Sequence, residues 1–144
     1  MPYRFLEDIA IADMAFEAEG RTLSEVFESA ALALTNTMVK NLEAISPKQA
    51  KEIIVNAPNA EMLLFNFLQE LIYYKDTEQL LISKFDINIT GTEDGGYFLK
   101  CKGLGEKLDT TKHESLVDVK AVTMHLFEVK PTAEGWTAKV ILDI

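Results

Sequence analysis

The sequence predicts an α+β fold, a mixed and largely antiparallel sheet carrying two main helices. Three observations point there. Two stretches repeat apolar residues at helical spacing, the last third of the chain alternates with the period of strands, and turn residues separate the segments. The order is strands and a helix, a strand and a helix, then four strands. At 144 residues the chain is expected to form one domain, spanning 1–144, with a sizeable core.

Residues 3–19 read as one or two strands. Ala12, Met14, Phe16 and Ala18 share one face, while Ile11, Asp13, Ala15 and Glu17 share the other. Gly20 and Arg21 turn the chain. Thr22-Leu23-Ser24-Glu25 is a capping box, in which the Thr22 hydroxyl accepts from the Glu25 N–H and the Glu25 carboxylate reaches back. It opens a helix to about Val39, with Leu23, Val26, Phe27, Ala30, Ala31, Leu34 and Met38 as its apolar stripe. Residues 50–57 read as a short strand, and Asn59 as the N-cap of a second helix over 60–74 or a little beyond. That helix is apolar over a wide arc (Leu63, Leu64, Phe67, Leu68, Leu71, Ile72), so it is expected to be covered on more than one side.

Residues 81–90 and 97–102 read as a hairpin around Asp94-Gly95-Gly96. Residues 103–114 are polar and irregular, and His113 within them reads as solvated. Residues 116–130 read as one long strand. Its apolar phase shifts from Val117, Val119 and Ala121 to Val122, Met124 and Leu126, which places a β-bulge near Ala121. A turn over 131–135 leads to a last strand, in which Trp136, Ala138, Val140, Leu142 and Ile144 alternate with Thr137, Lys139, Ile141 and Asp143.

Apolar residues make up 48% of the chain, which argues against disorder. The net charge is −9, and the 14 basic residues are scattered among 23 acidic ones with no basic stripe. Strong direct nucleic-acid binding is therefore not expected; a cation or a basic protein partner fits better. The run 62–74 is too short for a bilayer and is interrupted by Asn66, Gln69 and Glu70, so no membrane association is expected. With no signal peptide, a cytoplasmic location follows. Cys101, the one cysteine, alternates with Tyr97 and Leu99 and reads as a small buried hydrophobe rather than a reactive thiol.

No phosphate loop and no Cys/His zinc cluster is present. His125 reads as a hydrogen-bonded structural histidine of the long strand. The carboxylates are more informative. Asp13 and Asp143 both lie on the non-core faces of apolar strands, and Asp143 is one residue from the final carboxylate, that of Ile144. Hard divalent cations take such oxygen ligands. The residues alone leave two readings open, solvated strand aspartates with a free terminus, or a cation site if the two strands meet. Lys120 is equally a solvent-facing charge or a partner for carboxylates or phosphate.

Several segments together resemble the archease family. They are Ala12-Asp13-Met14-Ala15-Phe16 with Gly20-Arg21-Thr22-Leu23, then Glu70-Leu71-Ile72-Tyr73 with Asp76-Thr77-Glu78-Gln79-Leu80-Leu81, and finally His113-Glu114, Val119-Lys120-Ala121-Val122-Thr123, Gly135-Trp136 and Val140-Ile141-Leu142-Asp143-Ile144. The resemblance runs in order along essentially the whole chain. One departure is that Asp8-Ile9-Ala10-Ile11-Ala12-Asp13 stands where many archeases carry His-Thr-Ala-Asp, so no role of that histidine transfers.

The resemblance implies an SHS2-like strand-helix-strand-strand fold and an accessory protein rather than an enzyme. Archeases activate RtcB-type tRNA-splicing ligases by promoting guanylylation of the ligase and multiple turnover. The resemblance further implies a divalent metal, calcium or in the ligase complex Mg²⁺ or Mn²⁺, on Asp13, Asp143 and Ile144, with Lys120 as a further functional residue. Two other classes compete, a chaperone or modulator of RNA-modifying enzymes such as tRNA methyltransferases, and a small metal-dependent hydrolase. Few oxygen ligands and no clear base count against the hydrolase.

Overall fold

The computed structural model describes residues 2–6 and 13–144. The readings that fall on 7–12, among them Asp8 and the facing of Ala12, lie outside the described residues. The elements run β1 (Tyr3–Leu6), β2 (Asp13–Gly20), α1 (Leu23–Met38), a 3₁₀ turn (Leu42–Ala44), β3 (Gln49–Ala57), α2 (Ala60–Glu78), β4 (Leu80–Gly91), β5 (Tyr97–Lys107), β6 (Ala121–Thr132) and β7 (Gly135–Asp143). The fold is α+β as expected. Its strands form two sheets rather than one, β1-β2-β7-β6 and β3-β5-β4, and every described pairing is antiparallel.

Local chemistry sets the helix ends. The capping box forms: Glu25 N–H donates to Thr22 Oγ1 at 3.1 Å, and Thr22 N–H donates to Glu25 Oε2 at 3.1 Å. Asn59 caps α2 by accepting from Met62 N–H at 2.8 Å. The second helix continues to Glu78 and ends on Gln79 in the left-handed conformation, φ 54°.

Both helices touch both sheets. α1 packs on β2 and β7 and on β4, while α2 packs on β3, β4 and β5 and on β6. The helices therefore form a layer between the sheets. This explains why α1 is buried beyond its predicted stripe, at Ser29, Ala33, Thr35 and Thr37 as well. The buried hydroxyls are satisfied, Thr35 by donating to the Ile82 carbonyl at 2.9 Å and Ser29 to that of Glu19 at the same distance. Phe67 stacks on Phe27 at 6.2 Å and meets Phe85 edge-on at 6.3 Å, joining both helices to β4.

Three strand readings need correction. β5 does not end at Lys102 but runs to Lys107. Its Gly103 and Gly105 are strand residues under close approach, since a Cβ on Gly105 would lie 1.8 Å from the Leu81 carbonyl oxygen. Residues 116–120 are not strand. They are strapped down by bonds from Leu116 N–H to the Met38 carbonyl (2.8 Å) and from Lys120 N–H to the Asp143 carbonyl (2.8 Å). The β6 irregularity lies between Thr123 and Glu128 rather than near Ala121.

Candidate metal centre

Strand pairing brings the predicted carboxylates together. In the β2–β7 ladder Asp13 stands directly opposite Asp143, and in the β6–β7 ladder Ala121 does the same from the other side. The Asp143 carbonyl accepts from Lys120 N–H, so the main-chain polar groups of Asp143 point toward β6. Asp13 and Asp143 are thus a non-hydrogen-bonded cross-strand pair, the kind in which side chains approach most closely, with Cβ atoms about 4.5–5.5 Å apart or less. Two acids so placed repel unless a cation or a proton intervenes. Among the described residues neither makes an ion pair or a side-chain hydrogen bond.

The outer face of this sheet, turned away from the helices, is layered. At its tip are Asp13, Asp143 and Ala121. The next row holds Leu6, Ala15, Ile141 and Thr123, and the third holds Arg4, Glu17, Lys139 and Glu128. Ala15 and Ile141 are fully buried in the middle row. The third row is ion-paired, with Arg4 Nη2 at 3.0 Å from Glu17 Oε1. The acidic tip is therefore backed by an apolar row, which separates it from the basic groups further down the face.

Ile144 and Lys120 flank the pair. The Ile144 side chain packs against the core, which fixes its main chain one residue beyond Asp143. Lys120 is exposed, and its ammonium makes no ion pair among the described residues. Its backbone is held from behind. Val119 is fully buried, and Lys75 Nζ donates to the Val119 carbonyl at 3.0 Å and to Asp118 Oδ1 at 2.5 Å. Burial alone would lower the Lys75 ammonium, but its bonds to Asp118 and Asp76 raise it above its usual value.

The residues at the tip suit a hard divalent cation: two carboxylates and main-chain oxygen at Ile144. One further polar atom lies on the same face. Thr123 Oγ1 is buried and lacks a hydrogen-bond partner among the described residues. It sits one row behind Asp143. Among the described residues, no three His, Cys, Asp or Glu side chains converge, so a cation held here relies on main-chain oxygen to complete its ligands.

The remaining candidates lie elsewhere. His113 is not solvated: it is 2% exposed, with Nε2 at 3.0 Å from Glu106 Oε2 and Nδ1 accepting from Asp109 N–H at 2.9 Å. The ring thus bridges the Asp109 amide and the Glu106 carboxylate. Glu106, also buried, is held at about pKa 2, first by Lys112 Nζ at 2.6 Å and then by Ser46 N–H at 2.7 Å. The sequence reading missed this cluster; an acid and a histidine seven residues apart across a tight turn was the available signal. His125 lies in β6 as expected, but it is exposed on the bulge and its side chain makes no hydrogen bond among the described residues, so it is not the hydrogen-bonded structural histidine expected. Cys101 is buried as expected, and burial pushes its thiol up to about 12.

Comparison with known proteins resolves the family. Residues 3–144 match the model of the Archease protein family (MTH1598/TM1083). The chain belongs to the archease family. It is 37% identical to the archease of Methanosarcina barkeri over 142 residues, covering 99% of this chain and 95% of that protein. It is 40% identical to the archease of Pyrococcus abyssi over 134 residues, 92% of this chain and 93% of that one. The solution structure of protein 1598 from Methanobacterium thermoautotrophicum superimposes with a TM-score of 0.86 at 34% identity, covering 99% of each chain. The crystal structure of a Thermotoga maritima archease, described as a possible chaperone, shares the fold with a TM-score of 0.62 at 19% identity, covering 98% of each chain. No described helix of this archease is long and apolar enough to cross a membrane.

Proposed function

We propose that this archease is a protein cofactor of a cytoplasmic RtcB-type tRNA-splicing ligase, promoting guanylylation of the ligase and its multiple turnover. The observation that carries the reading is the facing pair Asp13 and Asp143 at the tip of the β2–β7 ladder. Family membership supports it.

In this reading Asp13, Asp143 and main-chain oxygen of Ile144 hold a divalent cation, calcium in the free protein and Mg²⁺ or Mn²⁺ in the ligase complex. A bound cation supplies charge neutralisation at phosphate oxygens. The strands hold the two carboxylates at a fixed separation, so little ordering remains to be done when the tip enters the ligase site. Lys120, exposed and one residue before the Asp143 partner Ala121, meets nucleotide phosphate or a ligase carboxylate. The net charge of −9 suits a cationic cleft, with RNA bound by the ligase rather than by this chain.

The test is multiple-turnover ligation under limiting ligase. Wild-type protein raises product beyond one equivalent of ligase, and Asp13→Ala or Asp143→Ala does not. Stimulation at the wild-type level by either variant defeats the reading.

Exposed Ile54, Tyr73 and Leu116 favour a second reading, a chaperone or modulator of RNA-modifying enzymes such as tRNA methyltransferases. Light scattering of an aggregating methyltransferase separates the two, because that protection would survive Asp143→Ala.

A further inference from the structure

The β6 bulge carries two exposed apolar side chains on a strained and well-anchored backbone. Met124 is 55% exposed and Leu126 51% exposed. Leu126 has φ 54°, a left-handed conformation that costs a branched, non-glycine residue energy and that persists only when its surroundings impose it. The surroundings do so here. Before the bulge, Val122 N–H donates to Gln69 Oε1 at 2.9 Å; after it, Phe127 meets Phe65 edge-on at 5.8 Å. Both clamps come from α2. Of the four residues between them, Thr123 is half-buried while Met124, His125 and Leu126 are exposed.

The position is informative. β6 is an edge strand, and Met124 lies three residues from Ala121, the residue opposite Asp143, or about 10 Å along the strand. The left-handed kink interrupts the edge, which disfavours addition of a partner strand. What remains is side-chain docking by a preorganised apolar pair beside an acidic tip.

We infer that Met124 and Leu126 are the apolar anchor of the interface whose charged half is the Asp13/Asp143 tip, and that their occupant is a heterologous protein. That protein presents an apolar pocket at the rim of a cationic cleft. A second copy of this chain is disfavoured because it would bring another net charge of −9 and another acidic tip. The inference rests on the ligase-cofactor reading and deepens it.

The experiment measures affinity of purified RtcB-type ligase for wild-type protein, for the double variant Met124→Glu/Leu126→Glu, and for Leu126→Gly, which relieves the left-handed strain. Calcium-induced thermal shift is recorded for each. The expected result is a calcium shift equal to wild type in both variants, with ligase affinity at least about tenfold weaker in the double variant and clearly weaker in Leu126→Gly. Wild-type affinity in both variants overturns the inference while leaving the cofactor reading intact. A wild-type dimer on sedimentation that the double variant dissolves also overturns it, by assigning the patch to a second copy. Failure of wild-type protein to bind the ligase at all removes both the cofactor reading and this one.

Discussion

Replacing Asp143 by asparagine should stabilise the metal-free protein and remove most of its response to calcium. The substitution keeps size and strand shape and removes one of two facing charges. Two unit charges held about 5 Å apart, the order of a cross-strand side-chain spacing, repel by about 0.8 kcal/mol at the dielectric of water and about 3 kcal/mol at an effective value near 20. Both side chains are partly exposed, so the lower figure governs, and relief of about 1 kcal/mol is expected. For a chain of this length that corresponds to a melting temperature about 3–4 °C higher in chelator. Calcium reverses the order. At 100 times its Kd it stabilises wild-type protein by about 2.7 kcal/mol, or about 9 °C, and the variant loses most of that gain. Scanning calorimetry in EGTA and in calcium measures both differences. A metal-free variant that melts below wild type and keeps the full calcium shift would refute the reasoning.

Other perturbations test the scaffold. Glu106 has a depressed pKa of about 2, so its contribution to stability is complete above about pH 4.5 and is lost as pH falls through about 2. Denaturant titrations should show wild type losing more stability than Glu106→Gln across that window, and parallel profiles would remove the cluster's role. Gly105→Ala drives a Cβ into the Leu81 carbonyl and should cost about 3 kcal/mol in urea unfolding, where a cost below about 1 would mean the strands part easily. Leu126→Gly should raise stability by about 1 kcal/mol by releasing the left-handed strain, measured the same way; a loss would mean the Leu126 side chain packs in the free protein.

What the sequence made legible was local. The Thr22 and Asn59 caps and the helix spacing act within a few residues, and they formed where expected. Facing of Asp13 and Asp143 depends on pairing between strands about 130 residues apart, which periodicity within either strand does not encode. The glycines of 103–105 read as loop because glycine usually marks turns; here they relieve crowding between β5 and the irregular Ile82–Lys84 step of β4. His113 read as solvated because its neighbours are polar, yet those neighbours, Glu106, Asp109 and Lys112, fold around it. The phase shift in 116–130 was real in the sequence. Its cause was a strap of irregular chain to residue 120 followed by a bulge after Thr123, not a bulge near Ala121.

The central claim is that the carboxylate pair acts on guanylylation of the ligase. Incubating ligase with radiolabelled GTP and a divalent cation, and following covalent labelling of the ligase over time, tests it directly. Wild-type protein should accelerate labelling, and Asp13→Asn and Asp143→Asn should leave it near the rate of ligase alone although both fold and melt cooperatively. Labelling accelerated equally by wild type and by both variants would contradict the account.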